Sequence, residues 1–201
     1  MQCYQAMTTN TLTAVTDGRF QDATWTTNLL HRFANYYFAA MSAYDHDHIH
    51  TPAVWKLAFD AARQKQTNVL QNLFLGVNAH INYDLALTLY DVLHEEWPTL
   101  SAEQRTNRYQ DFCLINDIIA ETIDQVQDEV VERESPALAL LDWLGGGMDE
   151  FIIVEMIRGW REEVWRKGVE MVEMADADGR ASIRLTVEQN CLRRGQHILL
   201  T

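Results

Sequence analysis

The chain of 201 residues is long enough for one globular domain with a substantial core, and hydrophobic residues make up 47% of it. Sixteen Lys and Arg against 29 Asp and Glu give a formal net charge of −13, which excludes nucleic acid as an expected partner because such a surface repels phosphate. No segment approaches the roughly 18 apolar residues of a membrane span, and the amino terminus does not resemble a signal peptide. Three widely spaced cysteines indicate free thiols, so we expect a cytoplasmic protein.

The apolar periodicity predicts an all-α fold, a compact single-domain bundle of six to eight helices. Residues 1–20 are polar and are predicted to be flexible or loosely helical, with one helical domain over residues 21–201. The segment 180–201 is compatible with a strand or with a terminal helix. Helices are predicted, in chain order, over residues 22–44, from Pro52, and over 64–93, 102–133, 136–143 and 149–175.

The predicted helix over residues 64–93 carries two polar side chains where apolar ones are expected. At about 100° per residue, His80 and Asp84 fall on the same arc as a set of aliphatic and aromatic residues. A buried imidazole and a buried carboxylate cost free energy unless each has a partner. One helical turn apart, they could ligate a divalent Zn, Fe or Mn ion. Alternatively, Asp84 accepts the imidazole N–H and the pair only ties helices together. The apolar members of the arc are Leu70, Leu73, Phe74, Val77, Ile81 and Leu85.

Further candidate residues surround this pair in the sequence. Asn78 and Asn82 lie one turn apart on another side of the same helix, which favours hydrogen bonds to a neighbouring helix or contact with a ligand. Asn78 and Asn116 are candidates to orient the site. Asp149 either caps the helix that follows or faces the interior as a third metal ligand. A separate run places His46, His48 and His50 at alternate positions, typical either of a metal loop or of a solvated loop.

Several motifs together resemble a bacterial family of unknown function, DUF5995. They are Phe33-Ala-Asn-Tyr-Tyr37, Trp55-Lys-Leu-Ala-Phe59, Gly76-Val-Asn-Ala-His-Ile-Asn-Tyr-Asp-Leu85 and Asp111-Phe-Cys-Leu-Ile-Asn-Asp117, then Ser135-Pro136. The resemblance covers about residues 20–170 and departs at Ala86, where a proline is expected. It implies a mostly helical cytoplasmic protein. More distantly, His80 and Asp84 are similar to the helical H-x-x-x-D ligand pairs of zinc-dependent phospholipase C and P1-type nucleases. Those enzymes carry several such pairs and this chain has one, which leaves a mononuclear site completed by another helix.

Three hypotheses follow from these patterns. The first is a divalent-metal-dependent hydrolase of a small-molecule substrate, with His80 and Asp84 at the metal. The second is a metal-free enzyme or small-molecule binder of specialised metabolism, in which an aromatic pocket including Tyr37 and Trp55 surrounds the same two residues as an acid–base pair. The third is a non-enzymatic structural or interaction protein. A homodimer is also expected, because Trp143 and Trp165 are predicted to be exposed and to need cover.

Overall fold

The structure, a computed structural model, describes residues 2–64, 67–131 and 150–200. Every regular element in these ranges is helical, which confirms the predicted all-α fold. A π-helical turn (His80–Asp84) joins α4 to α5, and a 3-10 turn spans Trp97–Thr99. None of the helices in these ranges combines the length and the low polarity that a bilayer crossing requires. The α-helices are α1 (Gln2–Thr16), α2 (Ala23–His46), α3 (Ala53–Gln64), α4 (Val69–Ala79), α5 (Leu85–Leu93), α6 (Ala102–Val131), α7 (Glu150–Glu173) and α8 (Ala177–Leu200).

The chain groups into two compact units. The first unit contains Met1–Asn28 and Thr99–Gly159, and the second contains Leu29–Pro98 and Trp160–Thr201. Helix α1 lies within residues 1–20, the segment predicted to be flexible or loosely helical. The predicted division of the chain, with one domain over residues 21–201, stays a prediction.

In the first unit, α1 packs against α6. A buried carboxylate organises the start of α2 there. Asp111, which is 2% exposed, accepts the backbone N–H groups of Gln21 and Asp22, each at 2.8 Å. These bonds satisfy backbone donors that the first turn of a helix would otherwise leave without partners. The inner face of α6 includes Phe112, Ile115 and Ile119, all of which are buried.

In the second unit, α3, α4, the π turn and α8 pack together. The predicted long helix begins at Val69 rather than near residue 64, because Asn68 and Gln71 form a reciprocal capping box. The predicted inner face of α4 is wrong at Leu73, which is 40% exposed, while Leu75 is 2% exposed. The reason is that α3 and α8 cover the side of α4 that carries Leu75.

Two glycines allow helices of the second unit to approach closely. A Cβ at Gly195 of α8 would lie 2.8 Å from Cδ2 of Leu57 and 3.6 Å from Cδ2 of Leu75. A Cβ at Gly168 of α7 would lie 2.7 Å from Cβ of Leu89 on α5. Distances under 3 Å leave no room for a methyl group, so a larger residue would push these helices apart.

The carboxyl-terminal part of the chain settles two questions from the sequence. The segment that was compatible with a strand or a helix is helical, as α8. Trp165, predicted to be exposed, is instead 7% exposed, with its ring edge-on to Trp97 at 6.3 Å between ring centroids. Its cover therefore comes from its own chain, and the homodimer prediction loses that support. Trp143 lies outside the described residues.

Candidate functional site

His80 and Asp84 are the first and last residues of the π turn that interrupts the helix. The backbone N–H of Leu85 bonds to the carbonyl of His80, five residues back, in place of the α-helical spacing of four. The rotation per residue about the helix axis is smaller in a π turn than in an α-helix. Side chains four positions apart therefore lie more directly above one another along the axis. The sequence predicted an uninterrupted α-helix here. π turns are rare, and they occur mostly as single-turn insertions, frequently at functional sites.

The two side chains form a buried pair that a third residue completes. Nδ1 of His80 lies 2.9 Å from Oδ2 of Asp84, whose side chain is 1% exposed. The indole N–H of Trp55 on α3 donates to both oxygens of the same carboxylate, at 2.9 and 3.1 Å. An ionised carboxylate only accepts hydrogen bonds, so the ring proton of a neutral His80 is placed on Nδ1 and the lone pair on Nε2.

Burial and hydrogen bonding act on Asp84 in opposite directions. Burial, the larger effect, raises the pKa of this carboxyl above its ordinary range because a charge inside the protein loses its hydration. The hydrogen bonds from His80 and Trp55 lower the pKa and so favour the ionised form. Asp84 therefore depends on its two donors to carry a charge at this depth.

Aromatic rings enclose the imidazole. The ring of Phe33 stacks on His80 with 3.6 Å between centroids and 11° between planes, and Tyr37 meets it edge-on at 5.9 Å. Trp55 lies 5.2 Å from Tyr37 and 5.1 Å from Phe59. Of the predicted aromatic residues, Tyr37 and Trp55 lie beside His80, whose side chain is 12% exposed and whose Nε2 is buried. Trp55 does more than line this cluster, since it holds the carboxylate.

The neighbouring asparagines point to other helices. Nδ2 of Asn78 donates to the carbonyl of Cys191 on α8 at 2.9 Å, and Nδ2 of Asn82 donates to Oδ1 of Asn78 at 3.0 Å. Arg194 of α8 donates to Oδ1 of Asn82 at 3.0 Å and is paired through its other amino group with Glu163 of α7. The predicted hydrogen bonding of Asn78 and Asn82 to a neighbouring helix is confirmed. Arg194 and Glu163 were not predicted.

A model of a family of unknown function, DUF5995, matches residues 1–201 of the chain. The chain belongs to this family. The match confirms the resemblance and extends it from about residues 20–170 to both ends. No curated protein matches the chain, and no solved structure matches it either.

The remaining predicted residues of this DUF5995 chain are Asn116, Asp149 and the histidine run. Asn116 is buried on α6 in the first unit, and Asp149 is outside the described residues. In the histidine run, His46, His48 and His50 are exposed, and Nδ1 of His50 lies 2.5 Å from Oδ2 of Asp47. Within the part of the chain that the structure describes, no three His, Cys, Asp or Glu side chains are grouped so that they could hold a metal ion. A metal site that includes Asp149 stays a prediction.

Proposed function

We propose that this DUF5995 protein is an enzyme in which His80 and Asp84 act as an acid–base dyad on a small-molecule substrate. The observation that carries the proposal is the 2.9 Å contact between Nδ1 of His80 and a buried carboxylate that Trp55 fixes from its other side. This arrangement presents Nε2 as the basic atom of a ring whose tautomer and orientation are both set.

The dyad would transfer a proton at Nε2 while the hydrogen bond between Nδ1 and Asp84 stays in place. Nε2 of His80 would take a proton from a substrate O–H, N–H or activated C–H group, while Nδ1 keeps its proton and its hydrogen bond to Asp84. The carboxylate would stabilise the imidazolium that forms, and Nε2 would return the proton to the product. Positioned proton transfer of this kind contributes about 10²- to 10⁴-fold in rate.

The substrate would approach from the side of α2. Phe33 and Tyr37 are half-buried, whereas Trp55 and Asp84 are buried, so the α2 rings are the outer members of the cluster. A ligand that reaches the buried Nε2 would displace one of them and replace its ring contact. This favours a substrate with a flat apolar part beside the group that exchanges the proton. Tyr37 would then contact substrate, and Trp55 would position the dyad.

A divalent-metal-dependent hydrolase is the second candidate, and the one-turn spacing of His80 and Asp84 favours it. Both oxygens of Asp84 already accept hydrogen bonds, so a Zn, Fe or Mn ion would have to share an oxygen with Trp55 or displace its N–H. We also retain as proposals a cytoplasmic location, a homodimer and a small molecule rather than nucleic acid as partner, the last because of the net charge of −13.

The test combines a turnover assay with NMR of the histidine rings. A panel of p-nitrophenyl esters and phosphates would be assayed with wild type, His80→Asn and the control His94→Asn. His94 contacts the backbone of its own helix outside the dyad. We expect His80→Asn to lose about 100-fold or more of any turnover, with His94→Asn unchanged. Loss of wild-type turnover in EDTA, restored by Zn²⁺ or Mn²⁺, would favour the metal candidate.

Nitrogen-15 NMR of the histidine rings tests the dyad without a substrate. We expect the neutral ring of His80 to carry its proton on Nδ1, facing Asp84, and its lone pair on Nε2. A neutral ring that carries its proton on Nε2 would refute the proposed role.

A further inference from the structure

A cleft on another side of the π turn, away from the aromatic cluster, carries its own group of charges. It lies between α7 and α8, is partly open to solvent, and has a cavity volume of about 10 Å³, roughly that of one water molecule. Its polar lining residues are Asn82 of the π turn, Glu163 and Lys167 of α7, and Asn190 and Arg194 of α8. Two valines form its apolar wall. None of these residues contributes to the dyad.

The guanidinium of Arg194 is held in place at this cleft. It donates to Oδ1 of Asn82, a residue only 3% exposed, and Asn82 is fixed in turn by Asn78, which is also 3% exposed. The ring of Trp160 lies 5.9 Å from the guanidinium carbon. An arginine anchored through buried amides loses little further freedom when it binds an anion, so the entropic cost of binding is low.

The group that now pairs with Arg194 indicates which class of ligand the cleft binds. Glu163 places its carboxylate on the second amino group of Arg194, and both side chains are 32% exposed, so this bond is open to exchange. Lys167 follows Glu163 by one turn on α7 and lines the same cleft, where it pairs with Glu170 at 2.6 Å. Glu163 therefore has a second cation within one turn when it leaves Arg194.

We propose that this cleft binds a small organic carboxylate, which replaces Glu163 on Arg194 while Glu163 turns to Lys167. Arginine offers two parallel N–H donors that match the two oxygens of a carboxylate. The side-chain amide of Asn190 supplies a further donor at the cleft. Lys167 already pairs with Glu170, so Arg194 is the cation that Glu163 would release to the ligand, within a chain whose net charge is −13.

The experiment is a titration of the protein with malonate, followed by NMR of the side-chain amides of Asn78 and Asn82. Sodium chloride at matched ionic strength is the salt control, and inorganic phosphate is the second anion. We expect saturable shifts of both amides with malonate, weaker binding of phosphate and no saturable shift with chloride. Equal shifts with chloride, or tighter binding of phosphate than of malonate, would overturn the assignment to a carboxylate.

Three variants test whether malonate binds at Arg194 in this cleft. Arg194→Gln should abolish the malonate shifts, whereas the control Arg193→Gln, which removes the same charge from the exposed neighbouring residue, should retain them. Glu163→Gln removes the internal competitor and should tighten malonate binding about fivefold, the worth of a partly exposed ion pair. The proposal is overturned if Glu163→Gln binds malonate with unchanged affinity, or if Arg193→Gln loses the malonate shifts. Both outcomes can be read even if Arg194→Gln fails to fold. Turnover at His80 does not enter these measurements, so they stand apart from the test of the dyad.

Discussion

The hydrogen bond from Trp55 to Asp84 gives the sharpest test of the site. Trp55→Phe keeps an aromatic ring on α3 but removes the only N–H that reaches both carboxylate oxygens in the described structure. A buried charged acceptor that loses a donor costs about 1.5–3 kcal/mol. The smaller ring adds about 1–2 kcal/mol for the lost contacts. We expect the free energy of unfolding to fall by about 2.5–5 kcal/mol near neutral pH.

The pH dependence of stability separates the lost hydrogen bond to Asp84 from the lost ring contacts of Trp55. Burial raises the folded-state pKa of Asp84 above its ordinary value of 3.8, so the folded protein binds this proton more readily than the unfolded chain. Stability therefore falls as pH rises from about 3.8 through the folded-state pKa, and is level above it. The Trp55 bond lowers that pKa, so Trp55→Phe raises it further. The difference between wild type and Trp55→Phe should grow as pH rises from the folded-state pKa of Asp84 in wild type to its higher value in the variant.

Urea unfolding at a series of pH values from about 4 to 8 measures this difference. The matched control is Trp25→Phe, since Trp25 is 5% exposed and its indole N–H is buried with no hydrogen-bond partner among the described residues. Trp25→Phe should cost about 1–2 kcal/mol at every pH. If the cost of Trp55→Phe is equally flat with pH, the hydrogen bond to Asp84 does not hold a charge, and the acid–base proposal loses its basis.

Two further predictions concern packing and reactivity. Gly168→Ala should lose about 1–3 kcal/mol because its Cβ would meet Leu89, whereas Gly159→Ala on the same helix, with no described atom within 4 Å, should gain up to about 1 kcal/mol. Thermal unfolding compares them, and equal effects would contradict the close approach of α7 to α5. Burial raises the pKa of the Cys191 thiol to about 12, so iodoacetamide at about pH 8 should label half-buried Cys113 well before Cys191 in the native protein. Mass spectrometry of the labelled peptides measures the order of labelling, and faster labelling of Cys191 would contradict the prediction.

The helices could be predicted because their signals are local. Apolar periodicity and the positions of the prolines predicted the all-α class, whereas the start of α4 at Val69, set by the Asn68 and Gln71 capping box, was missed. The choice between Leu73 and Leu75 as the buried residue was not readable, because it depends on where α3 and α8 pack. Periodicity shows that a helix has an apolar face, but the neighbouring helices decide which residues that face includes.

The site was predictable only in part, for a similar reason. His80 and Asp84 were noticeable because polar residues replace apolar ones within a regular pattern. The π turn between them leaves no pattern of its own, since tertiary contacts stabilise the insertion. Trp55 was predicted as a wall of a pocket, and its role as a donor to Asp84 required the position of α3. Arg194 lies 112 residues from Asn82, and no local signal connects the two.

The energetics of the π turn argue for a role beyond holding helices together. A buried imidazole and carboxylate are expensive to desolvate, and apolar residues of similar size often pack as well or better in such positions. Here the pair also requires an indole donor from α3 and an irregular helical turn. The Asn78–Asn82–Arg194 chain already joins this turn to α8, so connecting the helices does not itself require His80 and Asp84. What an apolar pair would not supply is a basic nitrogen with a fixed tautomer, which is the property that proton transfer needs.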